Sequence, residues 1–354
     1  MLPNPIPSPP HGRGATFNPV NRFERIEIEP DPDAPRGEGQ VATVLLRDTS
    51  RSVITRNDSP DIPFDASLNP YRGCEHGCAY CYARPTHEYL GFSAGIDFES
   101  RILVKEEAPA LLQRELASPG WRPRVLALSG VTDPYQPFER RLGVTRRCLE
   151  VLAACRHPVA VITKNRLIAR DADLLAELAS HGAAMASLSI TTLDVELARK
   201  LEPRASAPRD RLRAVAELTA AGVPVTVMVA PVVPGLTDHE LPAILEAAAA
   251  AGAVGAGCLP VRLPGAVAPL FEAWLEEHYP ERKEKVLNRI RSLRGGKLND
   301  PRFGHRMRGE GVYAEQIRAL FETARRRAGL ERRRVELSTA AFRRPGGDQL
   351  ALFG

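Results

Sequence analysis

Cys74, Cys78 and Cys81 stand in the run Asn69-Pro70-Tyr71-Arg72-Gly73-Cys74-Glu75-His76-Gly77-Cys78-Ala79-Tyr80-Cys81-Tyr82, a CxxxCxxC triplet. Three thiolates in one short loop can hold three corners of an iron–sulfur cube and leave the fourth iron without a protein ligand. Structural zinc and cluster sites normally take four protein ligands, whereas an open coordination position is what a catalytic site needs. Zinc completed by His76 or His87 is the competing arrangement, although zinc loops usually pair cysteines as CxxC with a second pair downstream. The other cysteines, Cys148, Cys155 and Cys258, are isolated and read as small buried hydrophobes. Six cysteines in 354 residues, with no signal-peptide pattern, do not make a secreted disulfide framework.

The elements that must position the triplet follow a regular pattern. Order is expected from about Ser67, where a short strand delivers the cysteine loop. Runs at 125–128, 159–162, 184–190, 223–229 and 255–261 are short, apolar and partly β-branched, as strands buried on both faces are. Between them, 143–155, 170–180, 207–221 and 239–251 carry helical spacing of apolar residues. Counting the cysteine strand, this predicts six βα units, hence an α/β fold with a parallel sheet and right-handed crossovers. An open partial barrel and a flat doubly wound sheet both satisfy the pattern.

Polar residues recur where these strands end. Ser129, Gly130, Thr132 and Asp133 follow the second strand, and Lys164 follows the third. Ser189 and Thr191 close the fourth, and the apolar stretch 230–238 closes the fifth. Glycine and hydroxyl groups at a strand end let backbone approach a ligand closely. A lysine at a buried strand end needs an anion, unless it reaches out to water. A polar turn explains each feature singly; their recurrence after successive strands points to a ligand site.

The triplet, with aromatic Tyr80 just before its third cysteine, resembles the cluster loop of the radical S-adenosylmethionine (SAM) superfamily. Together with Thr132-Asp133-Pro134-Tyr135-Gln136-Pro137, and Thr163-Lys164 followed by 170–175, it resembles the spore photoproduct lyase-like branch, often labelled DNA repair photolyases. The likeness covers about residues 65–265, and the run 294–307 resembles a less characterised subgroup. The resemblance implies a partial (β/α)6 TIM-like barrel with a helical C-terminal extension, and two cofactors, a 4Fe–4S cluster and SAM. It makes Cys74, Cys78 and Cys81 the cluster ligands. It gives the SAM amino group to the Ser129–Gly130 turn with Thr132 and Asp133, the SAM carboxylate to Lys164, and the ribose to Ser189 and Thr191. An electron donor must reduce the cluster, so that SAM is cleaved to methionine and a hydrogen-abstracting 5′-deoxyadenosyl radical. One departure stands out. Spore photoproduct lyase carries a hydrogen-donating cysteine close after its second strand, where this chain has Ser129, and a serine O–H bond is too strong to replace a thiol. Cys148 and Cys258 can substitute only if they face the barrel mouth. Tyr82 and Tyr135 are alternative relays, with packing as the competing role for each.

Charge and composition divide the chain. Residues 1–60 are proline-rich with little apolar period and are expected to be largely disordered; 61–265 form the core; 266–330 form a helical, basic extension; 331–354 form a flexible tail. The formal charge is +5, yet residues 281–344 hold 19 Lys or Arg against 8 Asp or Glu, leaving the remainder at −6. That polarity suits a polyanion, with region 282–308 as the contact for nucleic acid, DNA first; a solvated arginine-rich helical surface is the bland alternative. RNA, a peptide, a small anionic metabolite, or a non-catalytic iron–sulfur protein that binds nucleic acid are the rival readings. Gln349, Leu350, Leu352 and Phe353 resemble the peptide by which bacterial repair proteins dock on the sliding clamp; packing back onto the core is its alternative. No apolar run is long enough to cross a bilayer, and a cytoplasmic protein is expected.

Overall fold

In a computed structural model, residues 12–23, 41–330 and 335–346 have described structure. The strands are β1 (Val44–Arg47), β2 (Ile54–Arg56), β3 (Ala66–Leu68), β4 (Tyr71–Arg72), β5 (Arg101–Val104), β6 (Leu126–Leu128), β7 (Val159–Thr163), β8 (Ala184–Ser189), β9 (Val225–Val232) and β10 (Gly255–Pro260). Seven of them form one sheet in the order β10-β9-β8-β7-β6-β3-β2. From β3 to β10 every pairing is parallel, and β2 adds an antiparallel edge. Six parallel strands in chain order, open between the first and the last, are the partial barrel the resemblance implied. A small second sheet, ordered β1-β5-β4, leads into and out of the cysteine loop.

The helices are α1 (Ile96–Ser100), α2 (Ala108–Ala117), α3 (Glu139–Leu142), α4 (Val144–Ala154), α5 (Ala172–Ser180), α6 (Val195–Leu201), α7 (Pro208–Ala220), α8 (Leu241–Ala250), α9 (Val267–His278), α10 (Lys283–Leu293) and α11 (Val312–Arg327). The largest apolar cluster joins strand residues such as Leu68, Leu128, Val161, Leu188 and Val227 to Leu149, Leu175, Leu218 and Ile244 of the covering helices. Alternation of buried and partly buried positions along β7 and β9 reflects strand side chains pointing to opposite faces. A second cluster ties Cys78 and Tyr80 to Trp274, Leu275, Leu287 and Ile290, so α9 and α10 brace the cysteine loop from the far end of the chain. Among the described residues, no helix is long and apolar enough to cross a membrane.

The expectation of a largely disordered N-terminal segment does not hold for its described parts. Residues 41–60 contribute β1 and β2, and Gly14 and Ala15 are buried against the cysteine loop. Low hydropathy misled here because these residues are held by backbone hydrogen bonds and a buried carboxylate rather than by an apolar stripe.

Candidate active site at the mouth of the barrel

Cys74 and Cys78 are buried and Cys81 is partly so. Cys81 packs against both the apolar cluster that contains Cys78 and the one that contains Cys74, so one loop gathers the three sulfurs. Among the described residues, no three His, Cys, Asp or Glu side chains converge on one point as a single metal ion requires; thiolates on an iron–sulfur cube instead bind one iron each.

Internal ties hold the loop. Buried Arg84 donates twice to the Cys78 carbonyl (3.1 and 2.8 Å) and pairs with buried Glu99. Glu99 in turn accepts from the backbone N–H of Gly14 (3.0 Å) and Ala15 (2.8 Å). There the N-terminal strap crosses the loop backbone to backbone: a Cβ on Gly14 would lie 1.6 Å from the Gly77 carbonyl oxygen. Glu75 accepts from Thr43 Oγ1 (2.8 Å) and the Phe138 N–H (3.0 Å) and lies 3.2 Å from Arg204.

Of the two histidines that might have completed a zinc site, His76 is held by hydrogen bonds, whereas His87 is buried among aromatic rings with neither ring nitrogen hydrogen-bonded. His76 Nδ1 lies 3.3 Å from Asp133 Oδ2, and its Nε2 lies 3.2 Å from Asn165 Nδ2. The His87 ring stacks on Phe92 and meets Phe98 edge-on. With His76 tied to Asp133 and Asn165, and no His, Cys, Asp or Glu trio converging among the described residues, the three thiols are the set that suits a cluster with one open iron rather than a closed zinc site. Burial raises all three thiol pKa values; Asp133 adds to this at Cys74 and Glu202 at Cys78, whereas Arg84 and Lys164 oppose it at Cys81. Such thiols stay protonated until metal displaces the proton.

Asp133 fixes the second and third strand ends together. Its carboxylate accepts from Thr163 Oγ1 (2.7 Å), the Lys164 N–H (2.7 Å) and the Tyr135 N–H (2.9 Å). Burial alone would raise its pKa, but His76 and these donors outweigh burial and hold it below the ordinary value. Lys164 Nζ donates to the Ala230 carbonyl (3.1 Å), stands 3.8 Å from Glu202 and lies over the Tyr80 ring at 5.8 Å. The lysine at the buried strand end thus faces the cysteine loop with an anion beside it, as its burial requires.

That anion, Glu202, is a residue sequence reasoning missed. It accepts from Tyr80 Oη, from Thr191 Oγ1 (2.7 Å) and from buried Arg211, which also holds the Ser189 carbonyl (2.9 Å) and the Ser206 carbonyl (2.7 Å). Burial pushes the Glu202 carboxyl up, yet Arg211, Lys164 and the two hydroxyls overcome it and hold the group at about 2. Only its place at the end of α6, next to Pro203, marked Glu202 in the sequence; the strand-end rule does not reach residues beyond a following helix.

Of the residues expected at the site, Cys74, Cys78, Cys81, Tyr80, Asp133, Lys164, Ser189 and Thr191 are joined by these contacts. The Thr191 hydroxyl already serves Glu202. Thr132 turns inward, its Oγ1 donating to the Tyr71 carbonyl (3.1 Å). Ser129 and Gly130 form the rim after β6, with φ of 141° and 111° in succession. A serine in that region costs about 1–3 kcal/mol, strain that tends to collect at functional sites. Its Oγ donates to the Thr132 carbonyl at 3.1 Å.

The candidate relays separate cleanly. Tyr135 is fully buried, donating to Asp171 (3.1 Å), so it is a packing residue. Tyr82 is half-exposed and donates to the Gly130 carbonyl at 2.6 Å. Cys148 is enclosed in the core, and Cys258 packs on the outer side of β10 within range of Glu322 on α11. Neither cysteine faces the mouth.

The loop 294–308 is less free than its composition suggested. Arg294 is buried and holds the carbonyls of Val261 (2.7 Å) and Arg306 (2.8 Å). Arg302 pairs with Asp300 and Glu310, and Arg306 with Asp61. The loop thereby ties the end of β10 to the segment between β2 and β3, bridging the two edges the open sheet leaves apart. Residues 349–353 lie outside the described residues.

Comparison with known proteins gives this arrangement its class. Residues 68–248 match the family model of the radical SAM superfamily. A protein of Mycobacterium tuberculosis (strain H37Rv), titled uncharacterized, is 39% identical over 273 residues, covering 77% of this chain and 78% of its own. The chain belongs to the radical SAM superfamily. A radical SAM Nalpha-GlyT isomerase of Pseudomonas phage M6 is 26% identical over 172 residues, 48% of this chain and 34% of that one. Among solved structures, spore photoproduct lyase complexed with dinucleoside spore photoproduct aligns with a TM-score of 0.56 at 17% identity, covering 80% of this chain and 78% of that one. The fold is similar to that lyase, and the cofactors are a 4Fe–4S cluster and SAM, as in the superfamily.

Proposed function

We propose that this enzyme acts on nucleic acid, DNA foremost, in a repair-type, lyase-like radical reaction at the barrel mouth. Once loaded, the site would supply radical chemistry: an external donor would reduce the cluster, the cluster would pass one electron to the SAM sulfonium, and cleavage with loss of methionine would give the species that takes hydrogen from substrate. Cys74, Cys78 and Cys81 would hold the cluster, and with no fourth donor from the loop one iron would be left for SAM to bind. Lys164 neutralises the SAM carboxylate, exchanging part of its attachment to Glu202 for it. Ser189 and Thr191 line the ribose side, and the strained Ser129–Gly130 turn receives the amino group. Glu202 and Arg211 touch none of the reacting atoms; they position Tyr80 and Lys164. The α9–α10 brace and the N-terminal strap keep water from the loop.

The observation that favours nucleic acid is charge placement. Within the basic extension, Lys285, Lys297 and Arg308 have no carboxylate partner among the described residues, so these cations stay free for phosphates. Ser129, and cysteines that lie away from the mouth, argue against the thiol-dependent step of spore photoproduct lyase; the branch chemistry is adapted here to another hydrogen acceptor or donor. The test is isotopic: DNA deuterated at sugar and methyl positions, ultraviolet-damaged and undamaged, is incubated with reduced protein and SAM. Deuterium in 5′-deoxyadenosine or in SAM supports the reading. Label transfer from RNA, peptide or small anionic metabolites, with none from DNA, replaces it. We also assign the residues 349–353 to sliding-clamp docking; a peptide of residues 343–354 that fails to bind purified clamp removes that assignment.

A further inference from the structure

Arg262 follows the last barrel strand, and its guanidinium lies 4.8 Å from the centroid of the Tyr82 ring. Tyr82 is the residue directly after the third cysteine, so this cation stands beside the cluster loop. Arg294 and Arg306 are both near enough to oppose the charge of Arg262 or to have theirs opposed by it. Arg306 is committed to Asp61 at 2.7 Å, and Arg294 is committed to backbone carbonyls. Arg262 has no ion pair or hydrogen bond to a side chain among the described residues; the Tyr82 hydroxyl and, at a distance, Asp61 offset its charge only in part, since burial still lowers its pKa. Three guanidiniums in a partly dry place face two carboxylates, Asp61 and Asp300, and Asp300 is already paired with Arg302, so positive charge is left uncompensated, which is costly unless an anion arrives. Beside it, two aromatic rings are uncovered: Tyr82 is 49% and Phe303 59% exposed, and each carries a guanidinium over one face, Arg306 lying 4.6 Å from the Phe303 centroid.

We infer that Arg262 is a substrate-binding residue that grips a phosphodiester of a single-stranded or extruded nucleotide, with Tyr82 and Phe303 as the surfaces on which its bases stack. The combination fits that ligand better than a small anion, because exposed aromatics alternating with arginines are how proteins hold unpaired bases and backbone together. A duplex cannot present a base to a recessed loop without extrusion. Arg262 also places the gripped phosphate next to the cluster loop, where the abstracted hydrogen must lie. The inference rests on the nucleic-acid reading above and adds the residue and the strand state to it.

The test uses anaerobically reconstituted full-length protein and a fluorescein-labelled ten-nucleotide oligothymidylate, followed by fluorescence anisotropy across salt. Arg262→Gln is expected to weaken binding about tenfold, as loss of one charge-assisted contact does. It should also lower the slope of log affinity against log salt by about one. Arg262→Lys should keep the slope and lose part of the affinity. Arg308→Gln, removing the same charge from the separate 294–308 loop, should change affinity by less than Arg262→Gln. Iron content and melting temperature establish that each variant is folded. Equal binding by wild type and Arg262→Gln overturns the inference and leaves the nucleic-acid reading standing. Failure of the wild type to bind the oligonucleotide overturns both.

Discussion

Replacing Glu202 by Gln asks whether a buried ion pair behind the cysteine loop holds the site together. The carboxylate serves Tyr80, Thr191, Arg211 and, at 3.8 Å, Lys164. Two independent routes size the effect. Holding the group at about 2 instead of its ordinary 4.5 corresponds to about 3 kcal/mol. Breaking one partner of a buried pair costs about 3–5 kcal/mol, since the other charge is left without compensation. The routes agree at about 3 kcal/mol, a large part of the roughly 5–15 kcal/mol that stabilises a domain. Urea unfolding of reconstituted protein under anaerobic conditions, followed by circular dichroism, reads this loss as a shift in midpoint at constant slope. Glu202→Gln combined with Arg211→Met should recover at least about half of it, because the orphaned guanidinium is then gone. A single variant within about 0.5 kcal/mol of wild type refutes the argument, as does a double variant no more stable than the single.

Three further outcomes follow from other contacts. Lys164→Gln should weaken SAM binding to the cluster-loaded protein, kept unreduced so that SAM is not cleaved, by about tenfold or more, the value of a charged hydrogen bond, measured by equilibrium dialysis. Gly14→Val must displace the strap from the Gly77 carbonyl, because its Cβ would sit 1.6 Å from that oxygen; iron loss to a chelator should accelerate about tenfold, in line with overpacking costs of about 1–3 kcal/mol. His157 accepts from Trp121 Nε1 (3.2 Å) and faces the Pro158 carbonyl (3.1 Å), and burial lowers its pKa from 6.5 to about 4. The unfolded chain then binds a proton between these values that the folded chain refuses, so His157 alone should cost up to about 3 kcal/mol of stability as pH drops from 6.5 to 4; His157→Phe should remove that share and leave the share of His87, which burial also lowers to about 4.

The barrel was legible because six buried strands and their helices repeat at regular intervals, and the observed β7, β8, β9 and β10 begin within two residues of the expected runs. The cysteine loop, Asp133 and Lys164 were legible because thiols and charges at strand ends have few structural explanations. Glu202 and Arg211 were not, since opposite charges distant in sequence look like solvated surface until the fold buries them together. Arg294 misled in the opposite sense: in a Gly- and Arg-rich loop it reads as a phosphate contact, yet its guanidinium is spent on backbone carbonyls. The strap around Gly14 escaped notice because a Pro-rich segment held by hydrogen bonds leaves no apolar period to detect.

The central claim is that three thiols without a fourth partner create an open iron for SAM. Its most direct measurement is 5′-deoxyadenosine formed from SAM by the anaerobically reconstituted, chemically reduced protein, beside Cys78→Ala treated identically. Wild type should form it at least once per cluster, and Cys78→Ala should hold less iron and form none. A wild-type protein that keeps its reduced cluster, binds SAM and yields no 5′-deoxyadenosine contradicts the account.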